Sequence, residues 1–129
     1  MELSHLDHFV ITTEHPEACI RFYVDILNME LDDSNGRYAL KFGNQKINIH
    51  RKKAEFTPAA KNVTYGSQDF CLIAKGNIEE IYQELLEKQY PIELGIVNRT
   101  GSVGPIRSIY LRDPDGNLVE ISTYEDGSQ

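Results

Sequence analysis

A single acidic residue stands in an apolar strand near the end of this chain. Asp113-Pro114-Asp115-Gly116-Asn117 reads as a tight turn. Pro114 fixes its own φ, and Asp115-Gly116 suits the reversal. Alternation along the strand that follows puts Val119 and Ile121 on one face, and Leu118, Glu120 and Ser122 on the other. A half-buried carboxylate is costly unless something pairs with it. A metal ion or a substrate cation would serve, unless the strand is simply an exposed edge. Polar residues recur at similar places on other apolar strands. Leu6, His8, Val10 and Thr12 share a face, Asn48 and His50 oppose Ile47 and Ile49, and Asp69 shares a face with Cys71 and Ile73. If the strands curl towards one cleft, His8, Asn48 or His50, Asp69 and Glu120 meet there. Imidazole with carboxylates suits a divalent ion of the Mn, Fe, Co, Ni or Zn group, whereas carboxylates alone favour Mg or Ca. A lone strand histidine is more often a structural group, so the weight rests on the combination. His5 and His15 read as surface residues.

The elements that must position these residues follow a repeated plan. A strand over His5–Thr12 leads to a helix over Pro16–Leu27, with Pro16 in its first turn and Ala18, Cys19, Phe22 and Ile26 at helical spacing. Three strands follow, Glu30–Asp33, Arg37–Phe42 and Gln45–Arg51, separated by the hairpin signals Asn35-Gly36 and Gly43-Asn44. Residues 52–66 are polar, contain Pro58 and read as a linker. The plan then recurs: a strand over Ser67–Ala74, a helix over Asn77–Lys88 with Asn77 as N-cap and Glu80 at the capping-box position, and strands near Ile92–Val97, Ile106–Arg112 and Asn117–Tyr124. The segment Asn98–Pro105 reads as a loop over the site. The order βαβββ therefore occurs twice, at about 60 residues per copy. The expected fold is α+β, with modules 5–51 and 67–124 pairing into a curved, barrel-like mixed sheet with a central cleft. The whole chain, 1–129, is expected to be one domain.

Composition narrows the function classes. The net charge of −7 argues against nucleic acid, whose phosphates need clustered Lys and Arg. His50-Arg51-Lys52-Lys53 reads as a solvated strand end. Cys19 and Cys71 lie among apolar neighbours with no CxxC spacing, so both are expected in the core, and a cysteine-built zinc site is excluded. No apolar run approaches a membrane span, and Met1–His5 is no basic-then-apolar leader. The expected compartment is the cytoplasm.

Leu6-Asp7-His8-Phe9-Val10, Phe22-Tyr23-Val24-Asp25-Ile26-Leu27-Asn28-Met29 and Asp113–Ile121 together resemble the vicinal oxygen chelate superfamily of glyoxalases, bleomycin- and fosfomycin-resistance proteins and extradiol dioxygenases. Lys46–His50, Gly66–Ile73, Arg99-Thr100-Gly101 and Gly104-Pro105-Ile106 are similar to its small glyoxalase-domain-containing proteins. By this resemblance His8 and Glu120 are metal ligands, and Asp69 stands where a histidine is usual. The fourth-strand glutamate of glyoxalase I proteins falls on Asn48, with His50 one step along the same face. The implied protein is a homodimeric, divalent-metal-binding lyase or isomerase of the lactoylglutathione-lyase type. Its metal candidates are His8, His50, Asp69 and Glu120, with Glu120 and Asp69 also moving protons. Asn48, Arg99, Thr100, Arg107 and Tyr110 are the substrate-contact candidates. The alternative is a dimeric, non-catalytic binder of a small molecule such as an antibiotic. A ring-cleaving dioxygenase is a weaker third reading, because Asp69 replaces its second histidine.

Overall fold

A computed structural model describes residues 1–125. The chain forms two compact units, Met1–Gly66 and a second that begins at Ser67. Each is one βαβββ module built on one four-stranded mixed sheet.

The first module contains β1 (His8–Thr12), α1 (Pro16–Arg21), β2 (Glu30–Asp32), β3 (Tyr38–Phe42) and β4 (Gln45–His50). Its strand order is β1-β4-β3-β2, with β1 and β4 parallel and the other pairs antiparallel. The helix expected to run to Leu27 is α-helical only to Arg21. Phe22–Ile26 widens into a π-helical turn closed by the Leu27 N–H to the Phe22 carbonyl at 3.2 Å. Asn28, at φ 63°, then ends it, as its tolerance of the left-handed region allows. Ile11, Leu40, Ile47 and Ile49 are buried, with Cys19, Phe22 and Tyr23 from the helical segment. Phe22 and Tyr23 meet edge to face, 4.8 Å between ring centroids. Truncating one of these isoleucines to Ala should cost about 2–5 kcal/mol.

The second module contains β5 (Asp69–Ile73), α2 (Ile78–Glu87), β6 (Leu94–Gly101), β7 (Gly104–Arg112) and β8 (Leu118–Tyr124), in the order β5-β8-β7-β6. The Asn77 side chain caps α2, accepting from the Glu79 and Glu80 N–H groups at 2.9 and 3.2 Å. Ile78 and Leu85 are its buried residues, and the helix packs on β6 and β7. The segment expected as a loop, Asn98–Pro105, is instead a paired hairpin. Arg99 lies opposite Ile106, Thr100 opposite Pro105 and Gly101 opposite Gly104, which leaves only Ser102 and Val103 in the turn. Its polar, glycine-rich composition hides a ladder that backbone hydrogen bonds alone complete. A Cβ at Gly101 would meet the Tyr124 hydroxyl at 2.7 Å and the Ile106 Cγ2 at 2.9 Å, so a larger residue there would displace these side chains.

The turn before β8 is held by side chains. Asp113 Oδ1 accepts from the N–H groups of Asp115 (3.0 Å) and Asn117 (2.9 Å), and Oδ2 accepts from Asn117 Nδ2 (2.8 Å). Asn117 Oδ1 in turn accepts from the Gln68 N–H at 2.8 Å. Both Asp113 and Asn117 are buried. The turn thus fixes where β8 begins and where it meets β5, and with that the register that places Glu120.

Candidate functional site

Strand register decides which side chains share a face. In the second module Glu120 is paired with Cys71 on β5 and with Tyr110 on β7. Ser122 is paired with Ile73 and with Ser108, and Leu118 with Asp69 and Arg112. All of these lie on one face. The opposite face carries the buried Ile109, Leu111, Val119 and Ile121.

Glu120 is half-buried. Its Oε2 accepts from the Ser122 hydroxyl at 3.3 Å. Ser122 is buried and lies 2.6 Å from the buried Ser108 hydroxyl and 3.3 Å from the Cys71 sulfur. No Lys, Arg or His makes an ion pair with Glu120 among the described residues. Cys71 is exposed, contrary to the core position expected of it, because its strand turns alternate residues to the polar face. Burial of its sulfur nonetheless pushes the thiol pKa up; the hydrogen bond with Ser122 offsets part of that rise, and the Glu120 charge adds a smaller increment. Asp69 is exposed at the start of β5. Its charge reaches Arg112, whose guanidinium is held mainly by Glu93 at 2.8 Å.

Arg99 reaches the same face through a bulge. The pairing of β6 with β7 shifts between Gly95 and Val97, so Leu94 opposes Tyr110 and Val97 opposes Ser108. The extra residue reverses the alternation beyond it and brings Arg99 onto the face of Tyr110 and Glu120. Arg99 Nε donates to the Tyr110 hydroxyl at 3.0 Å, and its guanidinium lies 5.5 Å from that ring's centroid. Gly95, at φ 147°, permits the bulge; a Cβ there would sit 3.0 Å from Ile109 Cα. Thr100 and Arg107 stand on the opposite face from Arg99. Arg107 is ion-paired with Glu79 of α2 and with Glu125 at 3.4 Å. Arg107 and Tyr110 are three positions apart, an odd spacing on one strand, so the sequence itself contained the signal that they diverge.

In the first module the corresponding face carries His8, Val10 and Thr12, which pair with Lys46, Asn48 and His50. Asn48 also pairs with Ala39. His8 is exposed, and its Nδ1 lies 2.8 Å from Asp7 Oδ2, a contact that leaves Nε2 pointing away. The hydrogen bond with His8 holds the Asp7 carboxyl below the usual carboxylate range. An imidazole fixed this way through one nitrogen is set to offer the other to a metal. Asn48 and His50 line a pocket of about 150 Å³ with Asp32, Arg37, Lys46 and Phe56. Sequence reasoning missed Arg37, Lys46 and Phe56. Phe56 is the apolar residue that a polar linker reading passes over. Imidazole and carboxylate donors suit a first-row divalent ion. Among the described residues, neither module by itself gathers three His, Cys, Asp or Glu donors within 4.8 Å of one another.

Residues 5–121 match the Glyoxalase/Bleomycin resistance protein/Dioxygenase superfamily, and the chain belongs to it. It is 44% identical over 126 residues to the glyoxalase domain-containing protein RDO1 of Mycosarcoma maydis, covering 98% of this chain and 72% of that protein. It is likewise 44% identical to the virulence protein STM3117 of Salmonella typhimurium, covering 96% of this chain and 87% of that protein. The crystal structure of STM3117 superposes with a TM-score of 0.92 over 96% of this chain and 99% of that one. At 22% and 20% identity, lactoylglutathione lyase from Agrobacterium tumefaciens and the antibiotic-binding protein TnmS3 from Streptomyces share the fold, each with a TM-score of 0.73 and covering 95% and 97% of this chain, 96% and 99% of theirs. The α+β class and the βαβββ repeat read from the sequence are those of this family. No helix among the described residues is long and apolar enough to cross a membrane.

Proposed function

We propose that this chain is a divalent-metal-dependent lyase or isomerase of the glyoxalase type. Its substrate would be small and would carry two neighbouring oxygens or a thiol conjugate. The observation that carries this reading is Glu120: a half-buried carboxylate, the one charged residue of β8, with one hydroxyl partner and no cation among the described residues. Metal-ligand candidates are His8 and His50 in the first module and Asp69 and Glu120 in the second. The ion, when bound, would supply Lewis-acid polarisation of two neighbouring substrate oxygens. Glu120 would accept and return a proton, and the Ser122 hydroxyl bonded to its Oε2 supports that role. Asp69 is a second carboxylate for the same work. Arg99 and Tyr110 would meet an anionic group of the substrate, and Asn48 is a further substrate-contact candidate. Arg107 and Thr100 take no part in this reading, since they lie on the other face of their sheet. The protein is read as one domain that works as a homodimer in the cytoplasm.

Elemental analysis of the purified protein tests the reading, together with divalent-ion titration of the wild type and Glu120→Gln. Bound metal that weakens in the variant, with the circular dichroism unchanged, is the expected result. Full metal occupancy in Glu120→Gln would remove Glu120 from the site. No metal uptake, with small-molecule binding indifferent to chelator, would replace the enzyme by a non-catalytic binder. That second reading draws support from the lack of three clustered donors within either module.

A further inference from the structure

The pocket of the first module carries a charge pattern opposite to that of the whole chain. The chain has a net charge of −7, yet Arg37 and Lys46 line the pocket with one carboxylate, Asp32. Oδ1 of that carboxylate already accepts from the Ser34 N–H at 3.1 Å and its hydroxyl at 2.7 Å. Neither Arg37 nor Lys46 makes an ion pair among the described residues. The side chains of Asn48 and His50 make no hydrogen bond there either. Four groups able to donate therefore line one small space, and among the described residues none of them is hydrogen-bonded or ion-paired to its one carboxylate, Asp32, although the Lys46 charge reaches it. Two of them are held in place. The Arg37 guanidinium lies over the Phe56 ring, 4.0 Å from its centroid, and His50 meets the same ring edge-on at 5.3 Å. Phe56 is seated by the turn before it, where Glu55 accepts from the Arg51 N–H at 2.7 Å and from the Arg51 guanidinium at 2.7 and 3.0 Å.

Clustered cations and donors that outnumber the acceptors around them are the chemistry of oxyanion recognition. The volume of about 150 Å³ is below the roughly 300 Å³ at which pockets begin to hold a whole drug-sized ligand. It suits one end of a ligand. We propose that this pocket binds the oxyanion head group, a carboxylate, phosphate or phosphonate, of the ligand this protein acts on or carries. The proposal deepens the function given above, in which Asn48 and His50 already have roles, but it requires no metal.

The test uses the full chain in excess chelator, titrated with phenylphosphonate, inorganic phosphate and benzoate and followed by NMR at the Asn48 side-chain amide and the His50 ring. Saturable shifts at both groups are expected, weakening as salt rises. Arg37→Ala and Lys46→Met should each lower affinity at least tenfold, and Lys88→Met on α2 of the second module should leave it unchanged. Binding of phosphate and phosphonate without benzoate assigns a phosphorus oxyanion; binding of benzoate assigns a carboxylate. The proposal is overturned if no anion shifts these groups, if both Arg37→Ala and Lys46→Met bind as the wild type does, or if uncharged benzyl alcohol binds as well as the anions. Loss of metal uptake in Glu120→Gln is read separately, so failure of the metal reading leaves this result standing and the reverse also holds.

Discussion

Asn48 holds in the first sheet the ladder position that Glu120 holds in the second. Asn48 lies between Val10 on the parallel side and Ala39 on the antiparallel side; Glu120 lies between Cys71 and Tyr110. The repeat thus places an amide where its other copy places a carboxylate. Asn48→Glu should raise affinity for a divalent ion, on the order of tenfold, by adding a hard anionic donor. The same change should abolish oxyanion binding in the first-module pocket. Competition against a metallochromic chelator measures the first effect, and unchanged metal affinity would take Asn48 away from any metal.

Asp7 acts on His8 through Nδ1. Asp7→Ala should release the ring's orientation and cost about 10–100-fold in metal affinity. The Asp7 side chain is exposed, so the melting temperature should stay within a degree or two of wild type. A large loss of stability with no loss of metal binding would give Asp7 a structural role instead.

Gly95 is where the β6 bulge forms. Gly95→Ala would press a Cβ against Ile109 Cα at 3.0 Å and force a side chain into φ 147°. We expect a destabilisation of about 1–3 kcal/mol and loss of the Arg99–Tyr110 contact. Chemical denaturation reads the first, and Tyr110 ring shifts read the second.

Asp113 and Asn117 are buried and bonded to each other and to the backbone. Asp113→Ala should cost about 2–4 kcal/mol, because it leaves buried N–H groups without acceptors. Asn117→Ala should cost a similar amount through the lost bond to Gln68. Denaturation midpoints compared at constant m-value measure both; a change under about 0.5 kcal/mol would mean the turn holds without them.

The Cys71 thiol pKa is pushed up by burial of the sulfur, against the opposing hydrogen bond with Ser122, with the Glu120 charge adding to the rise. Its folded pKa lies above the unfolded value, so the neutral thiol is the form favoured by folding. The stability this gives is complete below the unfolded pKa and is lost as pH rises through the folded one. Alkylation by iodoacetamide should therefore have a midpoint above that of a free cysteine. Glu120→Gln should move that midpoint down. A midpoint at or below the free-thiol value would show that the sulfur is not desolvated.

Much of the fold was legible because its signals are local. The repeat, the Asn77 cap and the Asp113–Asn117 turn each depend on residues a few places apart. So did the parity that puts Glu120 opposite Val119 and Ile121. What could not be read depends on distant neighbours. The hairpin at Arg99–Gly101 forms because Gly104, Pro105 and Ile106 of β7 complete its ladder, and composition alone reads such a segment as a loop. The bulge at Gly95 appears only when β6 is laid against β7, and it decides the face of Arg99. The first-module pocket needs Phe56 folded back from a segment with no periodicity.

The hairpin also bears on kinetics. Arg99 sits on a paired strand whose turn is closed by two residues, with the Val103 N–H bonded to the Tyr124 hydroxyl at 3.3 Å. A guanidinium carried on such a strand loses little further freedom when a ligand arrives, since the ordering was completed during folding. Association at Arg99 should then be governed by diffusion and charge attraction, and solvent viscosity and ionic strength, rather than a conformational step, should set its rate.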